Sequence, residues 1–216
     1  MEATGRQDRE PIRLFKSDFL ESFSHVTPLT VLVLWTPVVL LFAVLSVLRA
    51  SDDHAWYRIP VGLAAGWFVW TFTEYSLHRF LFHYHPSTER FKRLFFMMHG
   101  VHHAQPLCKT RLVMPPPVSI PLALVCYGLF RLVIGSFLHA PVWFDPVFAG
   151  FLGGYIWYDM THYTLHHGRT KNAYLAMCRY QHMQHHGTCP NMRFGVSIPL
   201  WDYVFGTMPK AAPKKV

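Results

Sequence analysis

Charge is scarce in this chain. Asp, Glu, Lys and Arg make up 15% of its 216 residues, while 51% are apolar and 16% aromatic. That balance points to a membrane protein. Cysteine is also sparse: Cys108, Cys126, Cys178 and Cys189 are scattered with no C-x-x-C spacing. This argues against a disulfide scaffold or a zinc ribbon and suits a reduced, cytosolic face. The cleavable signal pattern, a short basic stretch followed at once by an apolar run, is absent. The formal net charge of +8 raises the question of nucleic acid. No basic stretch is interleaved with aromatics, so no nucleic-acid partner is expected. The length predicts one domain.

What the chain does have is long apolar runs. Residues 1–28 read as a polar N-terminal segment, and Leu29–Leu48 is free of charge and long enough to cross the roughly 30 Å hydrocarbon layer. Further spans are expected over 59–77, 118–138 and 142–161. Pro37 is expected to kink the first, and Arg131 in the third to snorkel to a helix end or a headgroup. Trp67 and Trp70 are expected to face lipid or core, and Trp201, Tyr203 and Phe205 to pack the C-terminal segment at the membrane surface. Seventeen of the 20 Lys and Arg fall on the side that holds both termini. The positive-inside rule makes that side cytosolic.

Histidine is abundant there. Ten of the 15 fall in four tight groups: His78 and His83; His99, His102 and His103; His162 and His166; His182, His185 and His186. On an α-helix, residues three or four apart share a face, so the last three groups can aim imidazoles at common points. His78 and His83 are about 140° apart on an ideal helix. They converge only if the helix loosens or ends between them. Ten imidazoles exceed the needs of one zinc and favour two metals in one cage at the cytosolic rim. His25, His54, His85, His139 and His167 are read as ordinary polar residues. Glu74, four residues before His78, and Asp159, three before His162, are candidates to orient ligand rings, with Asp202 a weaker one.

A redox metal pair on nitrogen ligands can activate oxygen against an unactivated C–H bond of a lipid. A zinc hydrolase normally shows H-E-x-x-H or a carboxylate base beside its ligands, and no Glu lies in any of the four groups. A metal transporter needs polar ligands at membrane depth, where these spans are nearly bare.

The motifs T-E-Y-S-L-H-R-F-L-F-H (Thr73 to His83), M-H-G-V-H-H, Y-D-M-T-H-Y, H-M-Q-H-H, F-G-V and L-W-D-Y-V-F-G-T carry a resemblance over roughly residues 59–207. The chain resembles the fatty acid hydroxylase superfamily of membrane di-metal oxygenases, and within it the fatty acid 2-hydroxylases that act on ceramide acyl chains. The resemblance implies an all-α, integral-membrane four-helix bundle with a cytosolic helical cap over a histidine-rich di-metal centre. Residues 29–216 would form that hydroxylase domain. It implies the ten histidines above as ligands of two iron ions, with zinc able to take the same sites. It implies oxygen-dependent 2-hydroxylation of a long or very long N-acyl chain at the endoplasmic reticulum membrane, both termini cytosolic. Electrons would come from cytochrome b5 and its reductase. No H-P-G-G haem signature precedes the first span, so a separate cytochrome b5 is expected. The alternatives are a related di-iron hydroxylase or desaturase of sterols or other lipids, or a non-enzymatic metal-binding or metal-transport membrane protein.

Overall fold

Proline and glycine punctuate the long helices of the computed structural model, which describes residues 11–209. Residues 1–10 and 210–216, including Arg6, Arg9 and the three C-terminal lysines, lie outside the described residues. A short α1 (Asp18–Ser22) precedes α2 (Pro28–Asp53), which starts on Pro28, where a missing N–H costs nothing. It ends at His54, whose left-handed backbone (φ 53°) returns an N–H to the Ala50 carbonyl. Helix α3 (Arg58–Ser76) runs on into a π turn, Leu77–Phe82. The cap helix α4 (Glu89–Phe95) does the same through Phe96–Gly100 into α5 (Val101–Ala104). Three prolines, Pro115 to Pro117, set the start of α6 (Pro116–Phe130), which also relaxes into a π turn, Arg131–Phe137. Then follow α7 (Phe144–His167), α8 (Ala173–His186) and α9 (Leu200–Val204). Among the described residues every regular element is helical and there is no strand.

Helices α2, and α6 with its π turn, are long and apolar enough to cross a membrane over Pro28–Asp52 and Pro116–Phe137, and both are largely exposed. Helix α7 is different. It is the buried centre, with Phe144, Phe148, Phe151, Leu152, Tyr155 and Leu165 all at 4% exposure or less. Trp70 of α3 packs edge-on against Phe151 and Tyr155 with ring centroids 5.2 and 5.3 Å away, whereas Trp67 is 39% exposed. Arg131 does not depend on snorkelling alone. Its guanidinium lies 5.0 Å from the Phe144 ring centroid, beside the buried Asp145, which pairs with Arg49 at 2.7 Å.

Glycine sets the closeness of α3 to α7. A Cβ on Gly66 would stand 1.9 Å from the Val147 carbonyl oxygen, and one on Gly150 would stand 2.1 Å from that of Leu63. Each helix carries glycines four apart, Gly62 and Gly66 on one, Gly150 and Gly154 on the other. Small residues at this spacing let two helices touch backbone to backbone. Gly62 meets Pro146 and Gly154 meets Trp70, so the two helices run parallel with a constant register. Continued along that register, His78 falls level with His162. Gly66→Ala is therefore expected to lower the yield and the melting temperature of the membrane-extracted protein. Gly153→Ala, with nothing within 4 Å of the added methyl, should leave both unchanged. Equal behaviour of the two variants in a thermal-denaturation assay would refute the close-packed pair.

The N-terminal segment is laid against the cap. The Ile12 N–H donates to Gln105 Oε1 at 2.8 Å, the Val26 N–H to the Thr110 carbonyl at 2.9 Å, and Arg111 Nη2 to Glu21 Oε1 at 2.6 Å. The C-terminal helix docks on α3 through Trp201, whose indole N–H donates to Thr71 Oγ1 at 3.0 Å while Tyr203 stays exposed.

Candidate metal centre

The π turn at the end of α3 answers the problem of the five-residue step. Its i→i+5 bond, His83 N–H to the His78 carbonyl at 3.2 Å, places residues five apart over one another. The two rings then lie 5.0 Å apart. A second π turn carries His99 into α5, so the cap presents its histidines inward.

All ten grouped histidines converge, in two sets of five whose ligand atoms lie within 4.8 Å of one another. One set is His78, His83, His99, His103 and His185; the other is His102, His162, His166, His182 and His186. Each triplet divides between them. The members four apart (His99 and His103; His182 and His186) stay together, and the third (His102; His185) turns to the other set. His103 and His186 stack across the divide with centroids 4.1 Å apart. His85 and His167 belong to neither set; His85 is exposed and His167 packs on Tyr163 at 5.1 Å.

The Nε2 atoms face each other closely: 3.1 Å for His78 and His99, 3.0 Å for His83 and His185, 3.0 Å for His102 and His162, and 2.9 Å for His166 and His182. Two tautomers are fixed by carbonyls, which can only accept. His78 Nδ1–H donates to the Phe194 carbonyl at 2.6 Å and His185 Nδ1–H to that of Met192 at 2.7 Å. In their neutral forms both must present a bare Nε2 lone pair to the same set. A cation among these nitrogens takes a lone pair from each ring that carries its proton on Nδ1, as His78 and His185 do, and nitrogen-only donors suit iron, zinc, copper or nickel. Protons do not serve as that cation. Burial, then repulsion from neighbouring imidazoles, pushes His83 and His103 down to about 3 and holds His99, His102 and His182 well below the ordinary histidine range. At neutral pH the cage is uncharged and in its ligating form.

Glu74 and Asp159 lie near the cage but bond elsewhere. Glu74, 3% exposed, accepts the N–H of Val196 at 2.8 Å and of Ser197 at 2.7 Å, together with the Ser197 hydroxyl. The group on His78 Nδ1 is the Phe194 carbonyl, not Glu74. Asp159 receives the Met114 N–H at 3.3 Å and so anchors the strand of chain leading into α6. Asp202, fully buried, accepts Phe194 N–H and Gly195 N–H, both at 2.8 Å, and the Thr207 hydroxyl at 2.7 Å. Four consecutive N–H groups, 194 to 197, are thus held by two carboxylates, which fixes the carbonyl that orients His78. Gly195 is required in this strap: a Cβ there would stand 2.2 Å from the Ile198 carbonyl oxygen. Sequence spacing alone missed Phe194 and Met192, because a backbone acceptor leaves no side-chain signature.

A family model described as fatty acid hydroxylase matches residues 63–207. The chain is 37% identical to the dihydroceramide fatty acyl 2-hydroxylase FAH2 of Arabidopsis thaliana, covering 94% of this chain and 83% of that protein. It is 39% identical to the fatty acid 2-hydroxylase of Homo sapiens over 94% of this chain, but spans only 58% of that relative. A solved structure described as full length scs7p, with only its hydroxylase domain visible, superposes with a TM-score of 0.79 at 34% identity, covering 88% of this chain and 69% of that one.

Proposed function

The chain belongs to the fatty acid hydroxylase family, and on that premise we propose that it inserts one oxygen atom at carbon 2 of the long N-acyl chain of ceramide or a related sphingolipid. The observation that carries this reading is the pair of five-histidine sets, gathered from the ends of α3 and α7 and from α5 and α8, with the rings of His78 and His185 oriented by backbone carbonyls. The names of the plant and mammalian relatives support the substrate class.

The ten histidines are the proposed ligands of two irons. When bound, iron supplies the redox chemistry by which one atom of molecular oxygen enters a C–H bond and the other leaves as water, consuming two electrons. Zinc fits the same donors but has no redox chemistry. Cytochrome b5 and its reductase are the proposed electron source. The chain's own part is to hold and exclude. Phe194 and Met192 carbonyls orient His78 and His185, Glu74 and Asp202 hold the strap, and Asp159 positions Met114. We assign Glu74 and Asp159 as positioning residues. No carboxylate joins either set, which disfavours hydrolysis.

We place four spans in the endoplasmic reticulum membrane, following α2, α3, α6 and α7, with both termini cytosolic and residues 29–216 as the hydroxylase domain. The exposed apolar faces of α2 (Leu29, Val33, Leu40, Val44) and α6 (Leu124, Val125, Leu129) fit lipid contact. The test is expression in cells lacking their own 2-hydroxylase, followed by lipid mass spectrometry. 2-Hydroxy ceramides are expected to appear and to vanish under an iron chelator. Altered sterol intermediates with unchanged ceramides would transfer the activity to a sterol.

A further inference from the structure

The carbonyls that orient His78 and His185 come from one short stretch, Met192 to Phe194, and both rings serve the same five-histidine set. Between those carbonyls stands Arg193, whose φ is 62°. Of residues 192–197 it alone has a positive φ, a conformation that glycine and asparagine adopt more readily. Three successive N–H groups starting here turn to one corner of the fold. That of Arg193 donates to the Thr207 carbonyl at 3.0 Å, and those of Phe194 and Gly195 donate to the two oxygens of buried Asp202, each at 2.8 Å. In an extended strand successive N–H groups face alternate sides. Gathering them on one side takes a left-handed residue beside a right-handed one, the backbone form of a nest.

The carbonyls follow from the same turn. A peptide unit is planar and trans, so its C=O points opposite to its N–H. The unit that aims Arg193 N–H at Thr207 aims the Met192 carbonyl the other way, to His185 Nδ1 at 2.7 Å. The unit that aims Gly195 N–H at Asp202 aims the Phe194 carbonyl at His78 Nδ1, 2.6 Å away. Resting on the metal-centre reading above, we propose that Arg193 is a positioning residue for this set and acts through its backbone. Its left-handed turn sends both carbonyls to the cage and so presents the Nε2 lone pairs of His78 and His185 to one ion. The side chain keeps a non-glycine residue in that turn. Its Nη1 donates to Gln181 Oε1 at 3.0 Å, and its guanidinium lies 5.6 Å from the Tyr180 ring centroid, both on α8. Among the described residues, no histidine of the other set bonds to this stretch.

The test compares Arg193→Val with Arg193→Gly in the full chain, purified without metal and titrated anaerobically with ferrous iron. Valine is β-branched and resists a positive φ, whereas glycine adopts it freely but has no side chain to reach Gln181. Arg193→Val is expected to bind one of two ions about 10–100-fold more weakly, with the other unchanged. Arg193→Gly should bind both ions as the wild type does, even where its melting temperature is lower. In metal-free protein, nitrogen NMR of isotope-labelled histidine should find the hydrogen-bonded Nδ1–H groups of His78 and His185 in the wild type and in Arg193→Gly, and lose them in Arg193→Val. If Arg193→Val does not accumulate, Arg193→Ala takes its place, with the same directions expected and a smaller effect. Three results overturn the assignment: iron binding unchanged in the valine or alanine variant, equal weakening in that variant and in Arg193→Gly, or weakening of both ions in step with the melting temperature. A wild type that binds two ions yet forms no 2-hydroxy product refutes the proposed reaction alone, and the iron titration still judges Arg193.

Discussion

Replacing His185 with alanine is expected to abolish 2-hydroxy ceramide production while the protein still accumulates in the membrane. His185 is fully buried; Met192 fixes its proton on Nδ1, and its Nε2 lies 3.0 Å from that of His83. Removing it deletes a lone pair from the first set, which then lacks both a donor and the carbonyl-oriented partner of His78. The ring centroids of His78 and His185 are only 4.6 Å apart, so the gap opens at the centre of that set. The control is His85→Ala, since His85 is exposed and outside both sets, and its product level should match the wild type. Mass spectrometry of lipids, normalised to the protein present in membranes, gives the comparison. Wild-type product from His185→Ala would remove this residue from the centre.

Glu74→Gln is expected to raise the metal dissociation constant by roughly 10–100-fold, the range typical when support behind a ligand is removed. The carboxylate takes three donors from Val196 and Ser197. A charge-assisted bond is about twice as strong as a neutral one, so a neutral amide, even with its NH2 donating to Ser197 Oγ, holds the Val196 and Ser197 N–H groups more weakly. The strap then loses its grip at 196 and 197, while Asp202 still holds 194 and 195. The Phe194 carbonyl shifts and His78 loses the acceptor that sets its tautomer. Competition with a coloured chelator measures the change, and an unaltered dissociation constant would show that Glu74 only fills space.

The centre was legible in the sequence where chemistry is local. Histidines four apart stay together, as the spacing predicts for His99 with His103, His162 with His166 and His182 with His186, but the same spacing also gathers His102 and His185 with their triplets, and these two turn to the other set. The five-residue step at His78 correctly demanded an irregular helix. The division of each triplet between two sets was not legible, because it depends on where α5 and α8 sit relative to α3 and α7. The partners of Glu74 were equally hidden. They lie 122 and 123 residues away, and they are backbone N–H groups. The glycines of α3 and α7 were readable in principle, at positions four apart, but an apolar run reads the same whether it faces lipid or another backbone. Arg111 reads in the sequence only as one of many basic residues on the cytosolic side, since its burial against Glu21 is a property of the folded chain alone.

The central claim is that two metals share one cage of ten imidazoles, and the most direct measurement is the metal content of the purified full-length chain. Elemental analysis of protein loaded anaerobically with iron is predicted to give two ions per chain, with X-ray absorption reporting nitrogen neighbours and no sulfur. One ion or none per chain in protein that still hydroxylates lipid would contradict it.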